Sequence, residues 1–350
     1  MGSTEKINIY VSEETYQNIL HDCEYFHIEK NKKGEFIKNR FFTRLVVGYH
    51  QAFIDKSELH YKEIKEAIES SLFNKNIDEK EIQEIAQVFS EKMTKTKEKK
   101  RKGIKYKTLS YKPVKETSRM LNDEIEDKMT FGSYFNSLLI DYFSEPMAKR
   151  ETILYKPIYD ELRSYCNKQT PITIYTKNDK AHKIIPYKIV QGHNGMFNYL
   201  LCGESADTLL NNEPNTENIT EARCYHLYYI DQIEFDKSRR CDKLSKQVLH
   251  QLDMMIKKGP EHAINSSESA SIKMTEEGHN LFKRVYSDRP IPDGPAKKKE
   301  NHYIYTFTDC SLDQLYFYFR RFGPEAEILE PESLRKRLIE FHEQSLAVYK

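Results

Sequence analysis

Polar and apolar residues alternate with period two over Lys6-Ile7-Asn8-Ile9-Tyr10-Val11, the pattern of a strand with one face buried. Ser12 follows as a helix N-cap, with Glu13 and Glu14 in the first turn, where the helix dipole favours acids. Further on, Phe41-Phe42-Thr43-Arg44-Leu45-Val46-Val47-Gly48-Tyr49 spaces its rings and aliphatics as on the buried face of a helix. The same arrangement returns 93 residues later as Tyr134-Phe135-Asn136-Ser137-Leu138-Leu139-Ile140-Asp141-Tyr142. That second copy has its own strand, about Thr108-Leu109-Ser110-Tyr111-Lys112, stopped by Pro113, and its own shorter helix from about Lys115 to Glu126. Between the copies the pattern predicts two polar helices, about Ser57–Phe73 and Asp78–Met93, and then a basic stretch from Lys92 to Lys107 interrupted by Glu98.

From about Thr152 the texture changes. A helix near Tyr155–Asn167 leads into short strands at Ile172–Tyr175, His182–Val190, Phe197–Leu201 and Arg223–Ile230, with turns at Lys177–Lys180 and Gly192–Gly195. Strands of this length and spacing predict a small, strongly bent antiparallel barrel. A helix at about Lys243–Lys257 and a Ser-rich link precede a last segment in which strands and helices alternate: strand Ile272–Thr275, helix Glu276–Tyr286, a Pro/Lys loop holding Lys297-Lys298-Lys299, strand His302–Thr308, helix Ser311–Phe322, strand Ala326–Leu329 and helix Pro331–Tyr349. That order points to a ferredoxin-like α/β extension. The chain therefore reads as an α+β multidomain protein divided at 1–150 (with a helical insertion at about 55–100), 151–265 and 266–350.

Composition narrows the function classes. Lys plus Arg is 55 against 54 for Asp plus Glu, so the net charge of +1 excludes a blanket polycation and leaves only local basic patches. The 18 Phe and 24 Tyr require a core and argue against disorder throughout. No apolar run approaches a membrane span and no signal-peptide core is present, which predicts a cytoplasmic protein with no membrane partner. The six cysteines are scattered and never form CxxC, as expected of reduced thiols. No phosphate-binding Gly loop, HExxH or GxSxG is present, and no cofactor or metal site is expected. Arg44…His50 and Arg337…His342 have the loose spacing of some RNases, but Leu45 and Leu338 stand where such motifs carry a polar side chain. A binding protein is expected, not an enzyme.

Strand, short helix, turn and longer helix, given twice, resembles a tandem ribbon-helix-helix. Its two halves would pair strands antiparallel as an intramolecular pseudo-dimer, because one such unit leaves strand edges and an apolar helix face open. The outward set would be Lys6, Asn8 and Tyr10 on one strand and Thr108, Ser110 and Lys112 on the other. In that family these side chains enter the DNA major groove. With no Arg or Gln in the set, only Asn8 offers a bidentate base contact.

The middle segment resembles the WYL domain, an Sm-like β-barrel. Tyr175, Pro186, Tyr199-Leu200, Arg223, Leu227 and Ile230 match its pattern. Asn198 replaces the Trp, and His226 and Tyr229 stand where the family often has arginines. His182, with Lys183 beside it, takes the usual basic position. The resemblance implies a nucleic-acid pocket built from Tyr175, His182, Lys183, Tyr199, Arg223, His226 and Tyr229, with Arg239 and Arg240 as surface cations. There Lys and Arg would hold phosphates, and the faces of Tyr175, Tyr199, Tyr225, Tyr228 and Tyr229 would stack bases. Phe322-Gly323-Pro324 through Glu330-Pro331 resembles the extension that follows many WYL domains. The whole order is similar to the WYL-domain accessory proteins of type VI-D CRISPR systems. That likeness implies a homodimer that binds single-stranded RNA and stimulates an RNA-guided RNA-cutting CRISPR nuclease. The alternative is a ligand-responsive regulator that binds duplex DNA through the ribbon.

Overall fold

The computed structural model describes residues 6–72, 78–94, 105–125, 130–178, 180–205, 219–236, 243–262, 264 and 268–350. It divides into two compact units, Met1–Pro157 and Ile158–Lys350. No helix among the described residues is long and apolar enough to cross a membrane.

The first unit runs β1 (Ile7–Ser12), α1 (Glu13–Tyr25), α2 (Lys38–Leu72), α3 (Glu79–Thr94), β2 (Tyr106–Tyr111), α4 (Lys115–Ile125), α5 (Phe131–Ser144) and α6 (Met147–Leu154). β1 and β2 pair antiparallel as a two-stranded ribbon, with Asn8 opposite Ser110 and Tyr10 opposite Thr108. Ile7, Ile9, Val11, Leu109 and Tyr111 turn inward and are buried. Ser12 caps α1 by accepting from the Thr15 N–H at 3.1 Å.

The two repeat segments supply the core beneath the ribbon. Phe41, Phe42, Leu45, Val46 and Tyr49 of α2 are buried, and so are their counterparts Tyr134, Phe135, Leu138, Leu139 and Tyr142 of α5. Equivalent residues meet, because Phe42 and Phe135 pack edge to face at 5.6 Å and Tyr49 and Tyr142 at 6.5 Å.

Two expectations change here. The polar helix expected to start at Ser57 is the second half of one continuous α2. Ser57 caps nothing, since its hydroxyl donates back to the Phe53 carbonyl at 2.9 Å inside the helix. Gly48, also within α2, marks a close crossing: a Cβ there would lie 1.8 Å from the Ile153 carbonyl oxygen of α6. α6 itself was not anticipated, being eight residues long with no side-chain cap.

α7 (Lys156–Lys168) leads into the second unit, where β3 (Ile172–Thr176), β4 (Ala181–Gln191), β5 (Asn198–Ser205), β6 (Ile219–His226) and β7 (Ile230–Phe235) form one antiparallel sheet ordered β6-β5-β4-β3-β7. The expected barrel is not closed, since no pairing joins β6 to β7 among the described residues. The single strand expected over Arg223–Ile230 is broken by a 3-10 turn at Leu227–Tyr229, after which β7 crosses to pair with β3. α8 (Lys246–Lys258) covers one sheet face, packing Val248, Leu252 and Met255 on Ile185, Leu201 and Ala222.

β8 (Ala270–Met274), α9 (Glu276–Arg284), β9 (Lys297–Lys299), β10 (His302–Phe307), α10 (Leu312–Phe319), β11 (Ala326–Glu330) and α11 (Glu332–Ala347) complete the chain. Their sheet has the order β11-β8-β10-β9. The three lysines expected in a loop are its edge strand β9. Its core holds Ile272, Phe282, Phe307, Tyr318, Phe319 and Ile328. The molecule is thus a mixed α+β protein with several small sheets.

Candidate nucleic-acid interface

The ribbon presents the six anticipated residues together. Strand alternation leaves Lys6, Asn8, Tyr10, Thr108, Ser110 and Lys112 exposed on the face away from the core. Tyr10 is the most prominent, with 57% of its surface accessible. The far end of β2 is pinned by Asn39 at the start of α2. Its amide donates to the Lys112 carbonyl at 3.1 Å and accepts from the Lys112 N–H at 2.7 Å. Since Ile7 faces Tyr111, continuing the register brings Lys6 opposite Lys112. No carboxylate belongs to the outward set.

The middle sheet gathers a different group. Directly opposed residues share a face, and the pairs Ile174↔His182, Ile184↔Glu204, Cys202↔Arg223 and Glu204↔Glu221 put His182, Glu204, Glu221 and Arg223 on one side. With Lys180, Ala181, Cys224 and Tyr225, three of these (His182, Glu204 and Arg223) line a cavity of about 600 Å³. Glu204 is its hub: one oxygen lies 2.7 Å from His182 Nδ1, and the other accepts from the Tyr225 hydroxyl at 2.9 Å. Arg223 Nε lies 3.4 Å from Glu204, and the guanidinium also donates to Glu221. Burial, then the nearby Cys202 and Glu204, pushes the Tyr225 hydroxyl well above its ordinary pKa, so it remains a neutral donor. His182 and Arg223 are both held by carboxylates, and a phosphate entering would compete with Glu204 and Glu221.

The other described residues of the predicted set do not line this cavity. Tyr199 is directly opposite His226 on the α8 side of the sheet and only 4% exposed, so its face is sealed. Its ring stands 4.4 Å from His226, which in turn lies 4.7 Å from Tyr228, and a Cβ on Gly192 would come within 2.8 Å of it. Tyr175 and Lys183 point to the side opposite His182, where the Tyr175 hydroxyl donates to Glu234 at 2.9 Å. Tyr229 belongs to the 3-10 turn, and its carbonyl accepts from the Lys177 N–H. Arg239 and Arg240 lie outside the described residues, as does most of the basic stretch before β2. Of the expected rings and basic side chains, Tyr225, His182 and Arg223 therefore share one cavity, while Tyr175, Lys183, Tyr199 and Tyr229 lie apart from it. Glu204 and Glu221 were missed, and only the strand register, invisible in a single sequence, would have placed them beside His182 and Arg223.

Three of the four residues at the loose Arg–His spacings, Arg44, His50 and Arg337, make defined contacts. Arg44 donates to Glu29 at 2.8 Å and stacks on Tyr155 at 4.5 Å, while His50 is buried with Nδ1 2.7 Å from the Tyr134 hydroxyl. Arg337 pairs with Asp313 at 2.9 Å.

Residues 267–345 match the WCX domain family. The chain is similar over 99% of its length, and over 94% of the other chain, to a protein described as "Crystal structure of a CRISPR Cas-related protein", with 18% identity and a TM-score of 0.70. The proteasome accessory factor B/C (PafBC) of Arthrobacter aurescens aligns at 13% identity over 52% of this chain and 26% of its own, with a TM-score of 0.20, too low to indicate a shared fold. No curated protein matches the sequence. The C-terminal segment that the sequence likened to the extension after WYL domains is thus matched by the WCX domain family, and the fold of the chain is shared with a CRISPR Cas-related protein.

Proposed function

We propose that this chain is a non-catalytic accessory protein of a type VI-D CRISPR system, which holds single-stranded RNA and stimulates an RNA-guided RNA-cutting nuclease. In this reading the first unit is a tandem ribbon-helix-helix, the middle sheet an opened Sm-like WYL module, and the C-terminal segment a ferredoxin-like extension.

The observation that carries the nucleic-acid part is the ribbon face. Like charges directly opposite one another destabilise a strand pair. Lys6 and Lys112 nevertheless stand at one end of the ribbon, with no acid in the outward set to relieve them. A bound phosphate supplies the missing anion. Tyr10 offers an open ring on which an unpaired base stacks, an interaction worth about 1–3 kcal/mol. The face lacks the Arg or Gln that reads duplex base edges, which favours a single strand over operator DNA. The cavity at His182 and Arg223 is a secondary contact that depends on displacing carboxylates.

Reconstitution tests the reading. A guide-loaded type VI-D nuclease should cut labelled target RNA faster when the purified protein is added, and Tyr10→Ala should remove most of the increase. An unchanged cleavage rate with the wild-type protein contradicts the accessory role. RNA cutting by the protein alone contradicts its non-catalytic character.

A further inference from the structure

A second concave site lies in the Ile158–Lys350 unit and shares no lining residue with the His182–Arg223 cavity. Its volume is about 370 Å³, within the range of small-ligand pockets. Tyr159, Arg163, Asn167 and Gln169 line it from the side of α7, and Tyr187 and Lys188 from β4. Tyr159, Arg163 and Asn167 follow one another at a spacing of four residues, hence on one helix face.

A helix end and a β-bulge converge here. Gln169 closes α7 in the left-handed region at φ 46°, the helix-ending geometry in which the Thr170 N–H bonds back to the Tyr165 carbonyl. Tyr187 is the extra residue of a β-bulge, since Pro186 pairs with Cys202 and Lys188 with Leu201. Bulges re-aim side chains next to sites. The Tyr187 ring is fixed by its hydroxyl, which donates to Asp253 of α8 at 2.8 Å, and Lys188 Nζ stands 5.1 Å from its centre.

The electrostatics differ from those of the first cavity. No carboxylate lines this one, and among the described residues the side chains of Tyr159, Arg163, Asn167, Gln169 and Lys188 have no hydrogen bond or ion pair. Complementing the dipole at the end of α7 accounts for a cation such as Lys168 but not for Lys188, which comes from a strand. We infer that this cavity binds a nucleoside phosphate. Arg163 and Lys188 hold the phosphate, a tyrosine ring stacks on the base, and the amides of Asn167 and Gln169 pair with its edge. This goes beyond the function proposed above and does not depend on it. Cys166 at the same cavity is a spectator, because burial pushes its thiol up to about 12.

The test is fluorescence anisotropy of labelled AMP titrated with the full chain. Saturable binding is expected, weakened about tenfold or more by Arg163→Gln or Lys188→Gln, the loss of one charged hydrogen bond. Their melting temperatures should stay at the wild-type value, and unlabelled AMP should compete better than adenosine or inorganic phosphate. A 5′-phosphorylated trinucleotide that outcompetes AMP identifies the ligand as an RNA end, and the reverse order identifies a free nucleotide. Absence of saturable binding up to about 1 mM, a range a weak small-ligand site still covers, overturns the inference. So does equal binding by both charge variants. Ribbon variants such as Tyr10→Ala should leave this binding unchanged, so its failure is separable from failure of the RNA reading.

Discussion

Asp22 is fully buried in the first unit, where Arg150 Nη1 lies 2.8 Å from both of its oxygens and the Tyr142 hydroxyl donates to it at 2.7 Å. Burial outweighs these partners and holds the Asp22 carboxyl above its ordinary pKa. Arg150→Ala leaves that carboxylate without its cation and should cost about 3–5 kcal/mol in urea unfolding at neutral pH. The sign of the pH dependence follows. An acid whose folded pKa is raised contributes stability below its unfolded pKa and loses it as pH rises through the folded value. Removing Arg150 raises that value further, so the penalty should shrink as pH falls toward 4. A penalty that is flat with pH would show that Asp22 does not carry the effect. Burial likewise pushes the Cys23 thiol up to about 12, so its contribution is fully present below about 9 and is lost progressively as pH rises toward about 12. Native protein at pH 8 should leave Cys23 unalkylated in site-resolved mass spectrometry, while urea exposes it.

Among the elements, α2 and α6 cross where Gly48 allows contact. Ala is the better helix former by about 1 kcal/mol, yet its Cβ would collide with the Ile153 backbone. Overpacking typically costs about 1–3 kcal/mol, so Gly48→Ala should lower the melting temperature despite the propensity gain. A rise in melting temperature would mean that the crossing relaxes freely. The ribbon and the repeat were legible in sequence because period two and helical spacing both sort apolar from polar residues, and ten of the twelve matched apolar positions of the repeat are buried, Val47 and Ile140 being the exceptions. β9 was not legible, because Lys297-Lys298-Lys299 contains no apolar residue and is held only by pairing with β10. The break at Leu227–Tyr229 escaped notice because Tyr228 and Tyr229 continue a strand-like run, and only the crossing of β7 to β3 shows the turn. Within the candidate site, the outward ribbon set followed from alternation alone. The division of Tyr175, Lys183 and Tyr199 from His182 and Arg223 depends on register and on which face α8 covers, both long-range facts.

At the scale of the molecule, the near-neutral total charge places nucleic-acid affinity in local patches, and the ribbon is such a patch without acids. Arg223→Ala removes a cation already held by Glu204 and Glu221 and should weaken RNA binding only a few-fold. A loss as large as that of a ribbon variant would move the principal contact to the middle sheet. The most direct measurement is filter binding of single-stranded RNA and duplex DNA across a salt series, with wild type, Tyr10→Ala and Lys6→Gln/Lys112→Gln. Tighter binding of the single strand is predicted. Tyr10→Ala should weaken it about 5- to 150-fold, as loss of one stacked base implies. The lysine variant should reduce the salt slope by roughly 0.7 for each phosphate that is no longer neutralised. Preference for duplex DNA with operator-like sequence dependence, or RNA binding unchanged in all ribbon variants, would contradict the account.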